Sequence, residues 1–200
     1  PFSPGQAADF YRCLMLDTLA LAGRLHVADR ALAYTPTGAR SLFEDLAPDG
    51  FALVPQRGAG LGERLANALA HHFELGYRRV VIMNSDGPTL PLAYLGEAFA
   101  ALDGVDVTLG PGHDGGYYLI GMKALHASLF QGIAWSTESV VTQTLELCNS
   151  LGLAVHELPV WYDVDVEADL SRLFSDAVRD PALAPCTLAF LKDHGWTRTV

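Results

Sequence analysis

Positive charge is scarce in this chain. Lysine and arginine together number 13 against 23 aspartates and glutamates, a formal net charge of −10. A dedicated nucleic-acid binder carries a basic face, so the balance argues against a nucleic-acid partner. It leaves room for a phosphate-bearing small molecule, because a bound metal neutralises phosphates locally. Cysteine is scarce as well. Cys13, Cys148 and Cys186 are odd in number, far apart and without metal spacing; they read as buried thiols in a reducing cytosol. Long apolar runs are missing. The most apolar early stretch, Cys13–Leu25, contains Asp17 and Arg24 and is too short to cross a membrane, and no signal peptide is visible. The expected location is the cytoplasm, with no membrane partner. No Ser-His-Asp triad, cysteine nucleophile or zinc motif stands out.

Half of the 200 residues are hydrophobic and 18% are charged, an ordinary globular composition. The length suits a single domain over residues 1–200, which buries roughly 70% of its unfolded surface. Ser3-Pro4-Gly5-Gln6 is a helix start with a capping box, and the helix is expected to run to about Gly23, with Leu14, Leu21 and Leu25 on its buried face. Strands are expected over Arg30–Tyr34, Phe51–Pro55, Val80–Ser85, Val105–Gly110, Tyr117–Met122 and Ala154–Leu158. Helices are expected over Ala39–Leu46, Leu61–Leu75, Leu92–Leu102, Thr137–Leu151, Asp169–Arg179 and Ala182–His194. Strands alternating with helices predict an α/β fold, a mostly parallel sheet covered on both faces.

The stretch around Asp86 carries the most information. Val80-Val81-Ile82-Met83 reads as a buried parallel strand that stops at Gly87-Pro88. Asp86 is thereby presented at a strand's carboxyl end, where open α/β sheets bind ligands. A carboxylate there suits Mg²⁺ or Mn²⁺ holding a substrate's phosphates; a turn aspartate capping the next helix is an equal alternative. A second acidic cluster, Asp163-Val164-Asp165-Val166-Glu167-Ala168-Asp169, places Asp163 and Asp165 on one side of an extended segment, with Val164 and Val166 on the other. Asp165 alternatively caps the following helix.

Gly58, Gly60 and Gly62 lead from a strand into a helix, and the run Gln56–Ala68 offers an anion or nucleotide cradle. It matches neither the Rossmann fingerprint nor the P-loop; a flexible turn with Arg64 paired to a surface acid is the alternative. In Gly110–Gly121, His113 reads as solvated. Asp114 is placed to bind an acceptor hydroxyl or act as general base, against the simpler reading of an Asp-Gly-Gly hairpin turn. Trp135 offers a stacking face for a sugar or base, or serves as a core tryptophan.

In this order, Gly58–Asn67, Asn84–Pro91, the block Asp114-Gly115-Gly116-Tyr117-Tyr118-Leu119-Ile120-Gly121 and Asp163-Val164-Asp165 resemble the bacterial glycosyltransferase-like family linked to arsenosugar biosynthesis, a type of nucleotide-diphospho-sugar transferase. That family is similar to the 2-phospholactate and molybdenum-cofactor guanylyltransferases. The resemblance spans about Ser3 to Leu173. It implies a GT-A-type fold and metal-dependent glycosyl transfer from a nucleotide sugar to a small-molecule acceptor. It implies Mg²⁺ or Mn²⁺ at Asp86 with Asp165 or Asp163, and nucleotide contacts from Gln56, Gly58, Gly60, Gly62, Arg64, Asn67 and Ser85. Gly115, Gly116, Tyr117 and Trp135 would face the sugar or acceptor, with Asp114 as the catalytic group. Nucleotidyl transfer releasing pyrophosphate, or a degenerate non-catalytic nucleotide-binding protein, are the competing expectations. Members of the family open with a strand and a basic glycine loop; Pro1 falls where that loop should have ended, so the first strand is expected to be missing.

Overall fold

The computed structural model describes residues 2–196; Pro1, on which the last expectation turns, lies outside them. The helices are α1 (Pro4–Gly23), α2 (Arg40–Leu46), α3 (Leu61–Glu74), α4 (Leu92–Ala101), α5 (Val140–Ser150), α6 (Glu167–Arg179) and α7 (Pro185–Asp193). The strands are β1 (Arg30–Tyr34), β2 (Phe51–Pro55), β3 (Val80–Met83), β4 (Val107–Pro111), β5 (Tyr117–Met122) and β6 (Val155–Glu157). The capping box at Ser3 is present. The aspartate at the start of α6 differs from expectation. Val166 occupies the cap position, and Asp169 Oδ2 accepts the Asp165 and Val166 amides at 3.1 and 3.0 Å. The sequence does not separate these acids because each of them favours a helix N-terminus.

β1 and β2 pair in parallel, and β3, β5, β4 and β6 form a four-stranded sheet in that order. β5 runs against its neighbours β3 and β4, and β6 lies parallel to β4. Thus β3, β4 and β6 share one direction, and their carboxyl ends lie along one edge. The strand at Val80–Met83 is not paired in parallel as its apolar run suggests. The hairpin through Pro111–Gly116 folds β5 back between β3 and β4, and a local apolar pattern carries no information about that.

Helices cover both faces. Leu69 of α3 and Cys148 of α5 pack with Val107, Leu109, Ile120 and Met122. Leu95 and Ala98 of α4 pack with Leu119, Leu90 and Leu21. A third cluster joins α1, α6 and α7 through Phe10, Leu14, Leu173, Leu188 and Leu191. Burial of such leucines gives roughly 1.5–3 kcal/mol each and holds α6 beside the sheet's carboxyl edge. Two cysteines that are distant in sequence meet here as free thiols, Cys13 Sγ and Cys186 Sγ lying 2.7 Å apart. Asp17, 4% exposed, accepts the Cys186 and Thr187 amides at 3.1 and 2.8 Å and so caps α7. Among the described residues no helix is long and apolar enough to cross a membrane.

Candidate active site

Four carboxylates converge at the carboxyl edge of the larger sheet. Asp86 follows β3 after Asn84 and Ser85. Asp114 sits at the tip of the β4–β5 hairpin, where Gly115 takes a φ of +86°. Asp163 and Asp165 arrive on the segment after β6. That segment extends the sheet: Trp161 N donates to Pro111 O and His113 N to Trp161 O, both at 3.1 Å. The pairing carries the chain past the hairpin tip and delivers Asp163 to the end of β3. There Asn84 Nδ2 donates to Asp163 Oδ2 at 3.0 Å.

The electrostatics follow from burial and like charge. Asp86 Oδ1 is buried without a hydrogen-bond partner. Desolvation first, then the Asp163 and Asp165 charges, push its pKa up to about 6. Burial likewise raises Asp163, with Asp165 and Asp114 adding to it. Asp165 is raised by burial and by Asp114, and it is the more exposed of the two. Asp86 feels Asp163 more than Asp165. Among the described residues, none of the ion pairs involves these four acids. An anionic oxygen taken out of water without a partner is costly, and a cation would relieve that cost. The donor set is hard oxygen. No three His, Cys, Asp or Glu side chains among the described residues are grouped to cage a metal unaided. The site therefore fits an ion that takes one or two carboxylates and fills its other positions with water and phosphate oxygens, as Mg²⁺ does.

The remaining candidates divide. Ser85 lies beside Asp86, its hydroxyl 2.7 Å from Tyr11 Oη. Gly116 N donates to Asp114 Oδ1 at 2.9 Å, which orients that carboxylate. Tyr117 is held edge-on to Trp135, ring centres 6.2 Å apart, and its buried hydroxyl has no partner.

Trp135 also packs on Gly62, where an added Cβ would lie 2.8 Å from its Nε1. Gly62 is buried, so its missing side chain serves the tryptophan's packing. Part of the expected anion cradle is filled by the chain itself. Glu63 Oε2 accepts the Ala59 amide at 2.7 Å and so places a carboxylate where an anion would sit. Arg64 Nε donates to Gly58 O at 3.3 Å and Asn67 Nδ2 to Arg57 O at 3.0 Å; both hold the loop's shape. Arg64 thus braces a backbone carbonyl and is not paired to a surface acid. Gln56 N donates to Tyr34 O at 2.8 Å and extends the β1–β2 ladder. Gly60 is the cap residue of α3.

Asn84, Thr89, Tyr162, Tyr11 and Glu63 are the residues that sequence reasoning missed. Asn84, Thr89 and Glu63 lie inside the motifs, but the roles of Asn84 and Thr89, like those of Tyr162 and Tyr11, depend on contacts distant in sequence. Two concavities, of about 550 Å³ around Arg40–Leu53 and about 480 Å³ around Gln131–Ser150, lie away from the acids.

The family described as "uncharacterized protein conserved in bacteria (DUF2064)" matches residues 18–137. The chain belongs to this family. It is also 34% identical to a protein of Desulfovibrio desulfuricans G20 described as a "putative nucleotide-diphospho-sugar transferase", over 95% of this chain and 84% of that one, with a TM-score of 0.88. The fold is accordingly the nucleotide-diphospho-sugar transferase fold. The 4-diphosphocytidyl-2C-methyl-D-erythritol synthase of Anaerococcus prevotii DSM 20548 shares the fold alone, at 12% identity, a TM-score of 0.61, and 83% and 85% coverage of the two chains. No curated protein matches the chain.

Proposed function

We propose that this protein is a transferase that uses a nucleotide-activated donor, moving a glycosyl group from a nucleotide sugar to a small-molecule acceptor with Mg²⁺ or Mn²⁺ at Asp86 and Asp163. The observation that carries the reading is the buried, partnerless Oδ1 of Asp86, a carboxyl that feels the charge of a second desolvated carboxylate, Asp163. The family relative of Desulfovibrio desulfuricans G20 supports the donor class. Of the two acids after β6, Asp163 is favoured as the second ligand because Asn84 holds it at the end of β3. Asp165 stands beside it, more exposed to solvent.

Bound there, the ion would neutralise the donor diphosphate and so improve it as a leaving group. The chain's own residues do the rest. Asp86 and Asp163 would hold the ion at the end of β3, and Ser85 presents a hydroxyl beside them. Asp114, oriented by the Gly116 amide, takes the proton of the acceptor hydroxyl. That oxygen forms the new bond to the anomeric carbon as the bond to the diphosphate breaks. Gly115 and Gly116 let the hairpin tip close up on its neighbours: a side chain on Gly115 would meet the Glu138 backbone and one on Gly116 the Asp114 carboxylate, so that carboxylate stays against the hairpin where the acceptor would approach it. The Gly58–Asn67 loop contributes a wall for the base or ribose; Glu63 makes it unsuited to phosphate.

Calorimetric titration with nucleotide sugars, with and without Mn²⁺, tests the reading. Metal-dependent binding and slow release of nucleoside diphosphate are expected, and Asp86→Ala should weaken that binding at least tenfold. Binding indifferent to Mn²⁺ and to Asp86→Ala sinks it. Pyrophosphate release from a nucleoside triphosphate would replace it with nucleotidyl transfer.

A further inference from the structure

Two carboxylates held together away from water repel each other, and a metal site must keep them in place before the metal arrives. Something in the fold has to oppose that repulsion. On the Asp86 side, the chain turns through Gly87 and Pro88, with Leu90 N donating to Gly87 O at 3.1 Å. Thr89, 2% exposed, follows in this turn. On the Asp163 side stands Tyr162, 3% exposed, its ring in the α1–α6–α7 cluster with Phe10, Leu14 and Leu170.

The two sides are joined by one oxygen. Thr89 Oγ1 donates to Tyr162 Oη at 2.8 Å, and Tyr162 Oη donates to Asp176 Oδ2 of α6 at 2.8 Å. Arg172, one α6 turn earlier, lays its guanidinium on the face of the same ring, 4.0 Å from the centroid. The phenol is thus gripped at its face and its tip by α6 and reaches across to the turn that carries Asp86.

We propose that Tyr162 is a positioning residue for the metal site: through the Thr89–Tyr162–Asp176 relay it holds Asp163 and Asp86 at a ligating separation before the ion binds. The inference rests on the metal reading above. Its physical content is preorganisation. A buried hydroxyl that gives and takes one hydrogen bond has fixed directions, and removing it leaves Thr89 Oγ1 and Asp176 Oδ2 without the hydrogen bond they share with it, while Asp176 Oδ1 keeps its ion pair with Arg179. Partners outside the ligand shell that orient carboxylates change metal affinity by roughly 10–100-fold.

The test is Mn²⁺ affinity in the absence of nucleotide, measured as free Mn²⁺ by electron paramagnetic resonance, beside the melting temperature of each variant. Tyr162→Phe keeps the ring and its cation contact and should weaken Mn²⁺ binding by about tenfold. Thr89→Val, which leaves Tyr162 intact, should weaken it in the same direction, and the double variant should add little. Tyr118→Phe is the control. Its hydroxyl also makes a hydrogen bond, to Pro159 O at 2.9 Å, outside the relay, and its loss should leave Mn²⁺ affinity unchanged. Unchanged affinity in Tyr162→Phe and Thr89→Val, or an equal loss in Tyr118→Phe, overturns the proposal. A wild-type protein that binds no Mn²⁺ overturns the metal reading itself, so the two failures are distinct.

Discussion

At Asp86, burial and neighbouring carboxylates act in the same direction, and the consequence is a pH dependence of stability. Its pKa rises from 3.8 to about 6 on folding. Between those values the native state holds a proton that the unfolded chain has released. Stability of the metal-free protein therefore falls as pH rises through this window and levels off above about 6. Allowing for the partial exposure of the side chain, the Asp86 contribution is about 2 kcal/mol. Asp86→Asn should flatten the melting-temperature profile between pH 4 and 7 and raise stability at pH 7. A variant with the wild-type slope would show that the carboxylate is better solvated than the structure makes it.

Among the elements, α7 depends on a partner far away in the chain. Its first turn is capped by Asp17 of α1 through two amides. Asp17→Ala leaves a buried and a half-buried donor without their acceptor and should cost about 2 kcal/mol, read by urea unfolding. Asp17→Asn, which retains one acceptor oxygen, should cost less. These contacts also mark how far sequence reasoning reaches. The bounds of β1, β2 and β5 coincide with the expected strands because apolar runs and flanking turns are local signals. Asp86, Asp114, Asp163 and Asp165 stood out because acids beside glycine or at alternate positions are visible in the chain itself. The Asn84–Asp163 and Thr89–Tyr162 bonds bridge 79 and 73 residues, and only the folded topology brings such pairs together. Val166, expected beside Val164 on the apolar side, is 60% exposed; the alternation ends there because α6 begins at the next residue. Glu63 escaped for a different reason: a glycine run ahead of a helix looks the same whether its amides await a ligand or are already taken.

Over the whole molecule, the parts that bear on the site all lie at the sheet edge where β3, β4 and β6 end, and α6 braces that edge from outside. The structure also joins the two extremities of the described chain. Phe2 packs against Phe190 and His194, ring centres 5.4 and 6.1 Å apart, while α1 and α7 share one apolar cluster. For topology this means that the order in which the chain visits its elements is separable from the shape they make. Covalently joining residue 2 to residue 196 with a few flexible residues and opening the exposed turn at Leu151-Gly152 should give a circular permutant. It should keep the relay, the four acids and the wild-type Mn²⁺ affinity, because closing a short loop between neighbouring ends costs little. A permutant that folds but loses the metal would show that chain order, and not packing alone, sets the site.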